Sequence, residues 1–218
     1  MRTLRRVVCP WLVAAAITAL CPAATHAQQW GGRGFFDVGA TTFTASQSFE
    51  AILGSATGTV FGGGGEVVLP QRIFGRVRVS RFERAGQRVV VFEGETFDLG
   101  IDTNVRITPV EVTGGYRFRN ADRRVVPYLG AGIGWHRYEE TSEFAEGDEN
   151  VDERHQGYHL LGGAEVRLAR RLGVGGELQW TTVPDALGQD PNGVSAAFED
   201  TNLGGVSFRV NVIVGRWF

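Results

Sequence analysis

The stretch Val210-Asn211-Val212-Ile213-Val214-Gly215-Arg216-Trp217-Phe218 decides the fold. Val210, Val212 and Val214 recur with period two, and Phe218 falls in the same phase. Strict alternation puts these side chains on one face of a β-strand. Read alone, the segment is either an amphipathic edge strand of an open sheet or the last strand of a closed one, which has to pair with the first.

The remainder of the chain extends this pattern. Residues 1–27 read as a secretory signal: Arg2, Arg5 and Arg6 precede the apolar run Val7–Leu20, and Thr25-His26-Ala27 supplies a small-residue cleavage site. Leu20 stands where lipidation of Cys21 would need a small residue, so that modification is not expected. Both cysteines, Cys9 and Cys21, lie inside the signal, and an exported chain without disulfides must rely on its fold alone. Removing the signal's three arginines from the 22 leaves 19 against 24 acids, a formal charge of −5. That acidity argues against a nucleic-acid partner. All cations are arginine, and Gly is about twice its usual share. No stretch after the signal approaches the ~20 apolar residues of a spanning helix, so any membrane crossing is by strands.

Residues 28–218 read as one domain of eight strands, with no helical periodicity. The expected strands are Gly34–Thr44, Gly58–Leu69, Phe74–Arg84, Val105–Arg119, Val125–Tyr138, Gly157–Ala169, Arg171–Val183 and Asn202–Phe218. A slip of phase near Pro109 suggests a bulge. Connections after the second, fourth and sixth strands are short, and those after the first, third, fifth and seventh are long. Short turns at one end and long loops at the other, with an even strand count, describe an all-β, eight-stranded antiparallel up-and-down transmembrane barrel.

The chain resembles the small outer-membrane β-barrel superfamily of Gram-negative-type bacteria, which includes the OmpA transmembrane domain, OmpX and OmpW. The residues that carry the likeness are Pro127-Tyr128-Leu129-Gly130-Ala131-Gly132-Ile133-Gly134, with Pro109-Val110-Glu111-Val112-Thr113-Gly114-Gly115-Tyr116-Arg117-Phe118 before them. The ending Val210, Val212, Val214, Phe218 also resembles the terminal signal read by the barrel-assembly machinery, although Arg216 departs from it. The resemblance implies an outer-membrane location, contact with membrane lipid and lipopolysaccharide, and no cofactor. It leaves the activity open, since such barrels host adhesins, narrow channels, surface shields and a few lipid-modifying enzymes.

The residues opposite the apolar faces are candidates for the lumen. They are Asp37, Glu66, Glu111, Glu165 and Glu177 with Arg76, Arg78, Arg117, Arg167 and Arg209. An eight-stranded interior is just wide enough for side chains to fill it, and opposite charges there should pair. A packed ion-pair plug is therefore expected, and a conduction path is the rival. The glycine row Gly130, Gly132, Gly134 would make room for guanidinium groups. Apolar and aromatic residues on the other face should meet lipid.

Three loops attract attention. The third holds Glu139, Glu140, Glu143, Glu146, Asp148, Glu149, Asp152 and Glu153, a solvated acidic surface or a bridge to divalent cations at the lipopolysaccharide, without calcium-loop spacing. The second, around Val89-Val90-Val91-Phe92 and Phe97-Asp98-Leu99, reads as a protruding hairpin. Asp190-Pro191-Asn192-Gly193 in the last reads as a turn. The case for catalysis is thin: His136, His155 and His159 follow the signal, but none sits with a nucleophilic serine on a strand, and His155 and His159 are too far apart on a strand for one metal. The expectation is a non-enzymatic structural or surface-interaction protein. A small channel for ions or hydrophobic solutes, a lipid A-modifying enzyme and a soluble lipocalin-like binder are the rivals.

Overall fold

A computed structural model describes residues 30–92, 95–118, 124–142, 151–188 and 193–215. Eight strands run in chain order: β1 (Gly31–Phe43), β2 (Thr57–Val68), β3 (Ile73–Phe92), β4 (Glu95–Arg117), β5 (Val125–Ser142), β6 (Val151–Arg167), β7 (Leu172–Thr182) and β8 (Gly205–Gly215). Each pairs antiparallel with its neighbour, and β8 returns to β1 to close the barrel. Asp37 lies opposite Asn211, and Val38 opposite Val210. Closure pairs both edges of the sheet, which is how a strand-built span avoids presenting an open edge to lipid.

Alternation sorts the two faces. Outward residues are large and apolar: Phe36, Val77, Leu129, Leu160, Leu178, Phe208, Val210, Val212 and Val214 are all more than a third exposed. Trp135, Tyr158 and Trp180 stand towards the loop end of this belt, Tyr116 and Phe118 towards the turn end. The inward set is polar and buried over the turn-end half and apolar above it. A soluble barrel would reverse this arrangement.

The eight-strand reading holds, with several corrections. The ladder runs without a shift past Pro109, from Val79↔Val110 to Phe82↔Ile107, and the irregularity lies between Gln87 and Val89. The apparent slip of phase has another cause: the inward face changes chemistry there. Glu111 and Thr113 point into a polar lumen, whereas Val105 and Ile107, in the same phase, point into an apolar cluster. β3 and β4 continue to Phe92 and Glu95, which bears out the protruding hairpin read in the second loop, whereas β5 and β6 extend to Ser142 and from Val151, beyond the expected Tyr138 and Gly157. These extensions lack amphipathic contrast because neither face meets lipid. β8 is described from Gly205 to Gly215, and the expected strand residues 216–218 lie outside the described residues, as does the proposed signal.

The first loop contains a helix that the search for periodicity passed over. Helix α1 (Ser46–Leu53) carries Phe49, Ile52 and Leu53 at i, i+3 and i+4, the spacing of a single apolar stripe. Gly54 ends it in the left-handed conformation, its N–H donating to Glu50 O at 2.9 Å. A short helix α2 (Val194–Ala197) lies in the last loop.

Candidate functional site: the lumen

The interior has two levels. The lower one is ionic. Arg33 donates to Glu165 Oε2 at 2.9 Å and is also ion-paired to Glu66. Arg117 binds the same two acids, at 2.6 Å to Glu66 and in a second short pair to Glu165. Arg76 reaches Glu66 at 2.7 Å and pairs with Glu177. Arg78 reaches Glu177 at 2.6 Å and Asp37 at 3.2 Å, and Tyr128 donates its hydroxyl to Glu177 at 2.8 Å. Higher up, Gln179 accepts from Arg78 at 2.9 Å and donates to Glu111 at 2.5 Å. Arg209 lies 3.8 Å from Asp37 and 4.0 Å from Glu111, and donates to Ser80 at 3.1 Å. His159 Nε2 contacts Thr113 at 2.8 Å.

Around Glu66, Glu165 and Glu177 each carboxylate meets at least two guanidiniums, which offsets the large desolvation cost of burial. Asp37 and Arg209 are held by looser ion pairs, and both Asp37 oxygens lack a hydrogen-bond donor among the described residues. Aromatic rings fill the remaining space. The Arg76 guanidinium lies 5.0, 5.3 and 5.2 Å from the ring centroids of Phe35, Phe74 and Tyr128. Five carboxylates therefore face five guanidiniums within a wall of aromatic side chains.

Nine of the ten residues read from the sequence as lumen charges meet here: Asp37, Glu66, Arg76, Arg78, Glu111, Arg117, Glu165, Glu177 and Arg209. Arg167 does not. It shares the inward phase of Glu165, but it lies at the mouth of the barrel, exposed, and donates to Ala169 O at 3.3 Å. Arg33 takes the fifth cationic position. The sequence reading missed it because Gly31, Gly32 and Gly34 give no alternation, although counting back by twos from Asp37 lands on it. The glycine row also proves different in detail: a Cβ at Gly132 would meet Val112 O at 2.0 Å and His159 Nε2 at 2.7 Å, and one at Gly130 would meet Phe74 at 3.2 Å. The row accommodates His159 and Phe74 in place of guanidinium groups.

The upper level is apolar. Helix α1 inserts Phe49 and Leu53 among Phe43, Phe82, Val105, Ile107, Val183 and Leu203. Phe49 stacks on Phe43 at 4.2 Å between centroids, and Phe82 meets Phe43 edge-on at 5.0 Å. Asp200 of the last loop holds the first turn of the helix: its Oδ2 accepts from Ser48 N at 3.0 Å and Ser48 Oγ at 2.7 Å. Gly86 permits the approach, since a Cβ there would lie 2.2 Å from Ile52 O. Between the two levels is a cavity of about 40 Å³ bordered by Glu111, His136, Ser207 and Arg209, with room for a few waters.

The acidic segment divides between ladder and loop. Glu139, Glu140, Asp152 and Glu153 are strand residues, while Glu143, Glu146, Asp148 and Glu149 lie outside the described residues. Arg137 donates to both Asp152 oxygens at 2.8 and 2.7 Å, which holds that carboxyl below the usual carboxylate range. Glu140 accepts from Tyr138 at 3.0 Å, and Glu153 contacts His155 at 3.0 Å. Among the described residues, no three His, Cys, Asp or Glu side chains are grouped as a metal site. Val210, Val212 and Val214 face outward, 46%, 44% and 56% exposed, and Phe218 is outside the described residues.

Known structures repeat this architecture. Neisserial surface protein A aligns with a TM-score of 0.51 at 12% identity, covering 85% of this chain and 95% of that one. A major outer membrane protein from Thermus thermophilus aligns at 0.55 and 10% identity, covering 87% and 100%. The Escherichia coli outer membrane protein W aligns at 0.49 and 19% identity, covering 85% and 98%. No curated protein matches the chain by sequence. The model of the outer membrane protein beta-barrel domain matches residues 12–212. With a closed eight-stranded barrel, an apolar belt outside and that match over nearly its whole length, the chain belongs to the outer-membrane β-barrel family and resides in the outer membrane.

Proposed function

We propose that the protein is a non-conducting, non-enzymatic barrel with a structural or surface-interaction role. The observation that carries the reading is the double seal: a buried ionic level beneath an apolar plug formed by α1. A hydrated ion would have to displace both, and the space between them holds only a few waters. Against catalysis, His155 contacts Glu153 and His159 contacts Thr113, so neither of these histidines is hydrogen-bonded to a serine among the described residues.

The working face is then the loop end. The β3–β4 hairpin projects there with Val90, Phe97 and Leu99 exposed, beside the acidic β5–β6 extension. Carboxylates at that height suit bridging to lipopolysaccharide phosphates through divalent cations. Planar-bilayer recording of the refolded protein, after its heat-modifiable gel mobility is verified, tests the seal. A folded, silent protein is expected. Discrete reproducible channel steps would overturn the proposal and make transport the leading function.

A further inference from the structure

We propose that the turn end of the barrel, on the periplasmic side, is a docking surface for the headgroups of anionic phospholipids in the inner leaflet. Among the described residues the exposed charges at this end are Arg72, Arg124, Arg167, Arg170 and Arg171, with no Asp or Glu among them. The exposed acids among the described residues lie towards the opposite end: Glu50, Glu83, Asp98, Asp102, Asp152, Glu153, Asp185 and Glu199.

Position identifies the partner. Arg72, Arg124, Arg167 and Arg171 each adjoin in the chain an outward apolar residue at the rim of the belt: Ile73, Val125, Leu168 and Leu172 respectively. One residue of strand rises ~3.3 Å, so these arginines leave the backbone at the level where the apolar belt ends, at the exposed mouth of the barrel, within a side-chain length of the headgroups. Arginines beside all three short connections contribute, so the cations are distributed about the barrel mouth. Arg167, Arg170 and Arg171 also border one concavity whose apolar wall is Leu172 and Val214. Cation above and hydrocarbon below is the arrangement a phospholipid presents in reverse.

The donors are available. Arg72, Arg124, Arg170 and Arg171 form no salt bridge among the described residues, and Arg167 gives a single long bond to Ala169 O. Guanidinium binds phosphate through paired N–H donors. A cell-wall polymer would meet its cations further from the membrane, not adjoining hydrocarbon-facing residues.

The test is native mass spectrometry of the full-length folded protein, offered phosphatidylglycerol and phosphatidylcholine at equal concentration. Phosphatidylglycerol should be retained preferentially, by about fivefold for each arginine engaged, and the preference should fall as salt rises. Arg167→Gln, Arg170→Gln and Arg171→Gln together should remove most of it. Lysine at the same three positions should retain only part of it, because an ammonium keeps the charge but not the paired donors, and Arg154→Gln at the loop end should leave it unchanged. Equal retention of the two lipids, or a preference untouched by the glutamines, overturns the proposal. So does full competition by inorganic phosphate, which would indicate a soluble anion, or arginine-dependent sedimentation with purified peptidoglycan without lipid preference. If the triple variant fails the gel-mobility check, Arg170→Gln alone gives the reading from its single contribution.

Discussion

Replacing Glu177 by Gln tests whether the ionic level holds the barrel together. Glu177 is 1% exposed and is shared by Arg76, Arg78 and Tyr128. The amide keeps the volume and can still accept from Tyr128, so packing changes little. The charge is lost, and two guanidiniums in a water-poor lumen lose a carboxylate. Arg76 keeps Glu66 at 2.7 Å, and Arg78 keeps Asp37 at 3.2 Å. Two hydrogen bonds to charged groups, at about 1.5–3 kcal/mol each, give about 3–6 kcal/mol. Breaking a buried pair by removing one partner independently suggests about 3–5 kcal/mol. The overlap, about 3–5 kcal/mol, is the expected loss in unfolding free energy, measured by urea titration of tryptophan fluorescence in lipid vesicles. Arg167→Gln is the control: it shares the strand phase of Glu165 but is exposed at the mouth, and should cost less than about 1 kcal/mol. A Glu177→Gln protein within about 1 kcal/mol of the parent, or indistinguishable from the Arg167→Gln control, would refute the assignment of stability to this level.

The plug should behave separately from the ionic level. Phe49→Ala removes its central ring, so amides of residues 46–53 should exchange faster while bilayers remain silent, because the ion pairs beneath persist. Gly86→Val should displace the same helix, since even a Cβ there meets Ile52 O at 2.2 Å, and limited proteolysis should then cut the first loop. On the outside, Val210→Arg at mid-belt should cost about 2–4 kcal/mol in refolding equilibria; no measurable cost would contradict lipid contact at that position. Glu83, four residues beyond the belt residue Val79 towards the loop end of β3, has its carboxyl held down to about 2 by hydrogen bonds from Asn104, Arg106 and Arg81. A depressed folded value stabilises above the unfolded value of ~4.3, and that contribution is lost as pH falls through about 2. NMR titration should therefore find the Glu83 carboxyl still ionised at about pH 3, and Asn104→Ala together with Arg106→Ala should return it towards the ordinary range.

Much of the barrel was legible from alternation alone. Val210, Val212 and Val214 against Arg209 and Asn211, and Val77 and Val79 against Arg76 and Arg78, are unambiguous because one face meets hydrocarbon and the other a polar lumen. Where that contrast fails, the reading failed with it. Gly31 to Gly34 carry no side-chain pattern, so Arg33 was missed. The hairpin around Val89–Phe92 and Phe97–Leu99 was legible as an extension of β3 and β4, whereas the continuation of β5 to Ser142 and the start of β6 at Val151 were not, because no lipid-facing side gives them contrast. Arg167 was placed in the lumen by parity, which fixes a direction from the strand but no depth along the barrel axis.

What the sequence by itself determined is local: which residues extend as strands, which face each side chain takes, and that short turns alternate with long loops. Those properties follow from the two-residue period of the pleat and from what hydrocarbon and water each exclude. Only the tertiary structure decided who meets whom across the lumen. Glu66 and Glu165, far apart in the chain, share Arg33 and Arg117 because closure of the sheet brings β1, β2, β4 and β6 round one axis. The plug was decided there too. An eight-residue helix has little stability of its own, and Ser46–Leu53 becomes one because the barrel mouth offers Phe43, Phe82 and Asp200 to the face it buries.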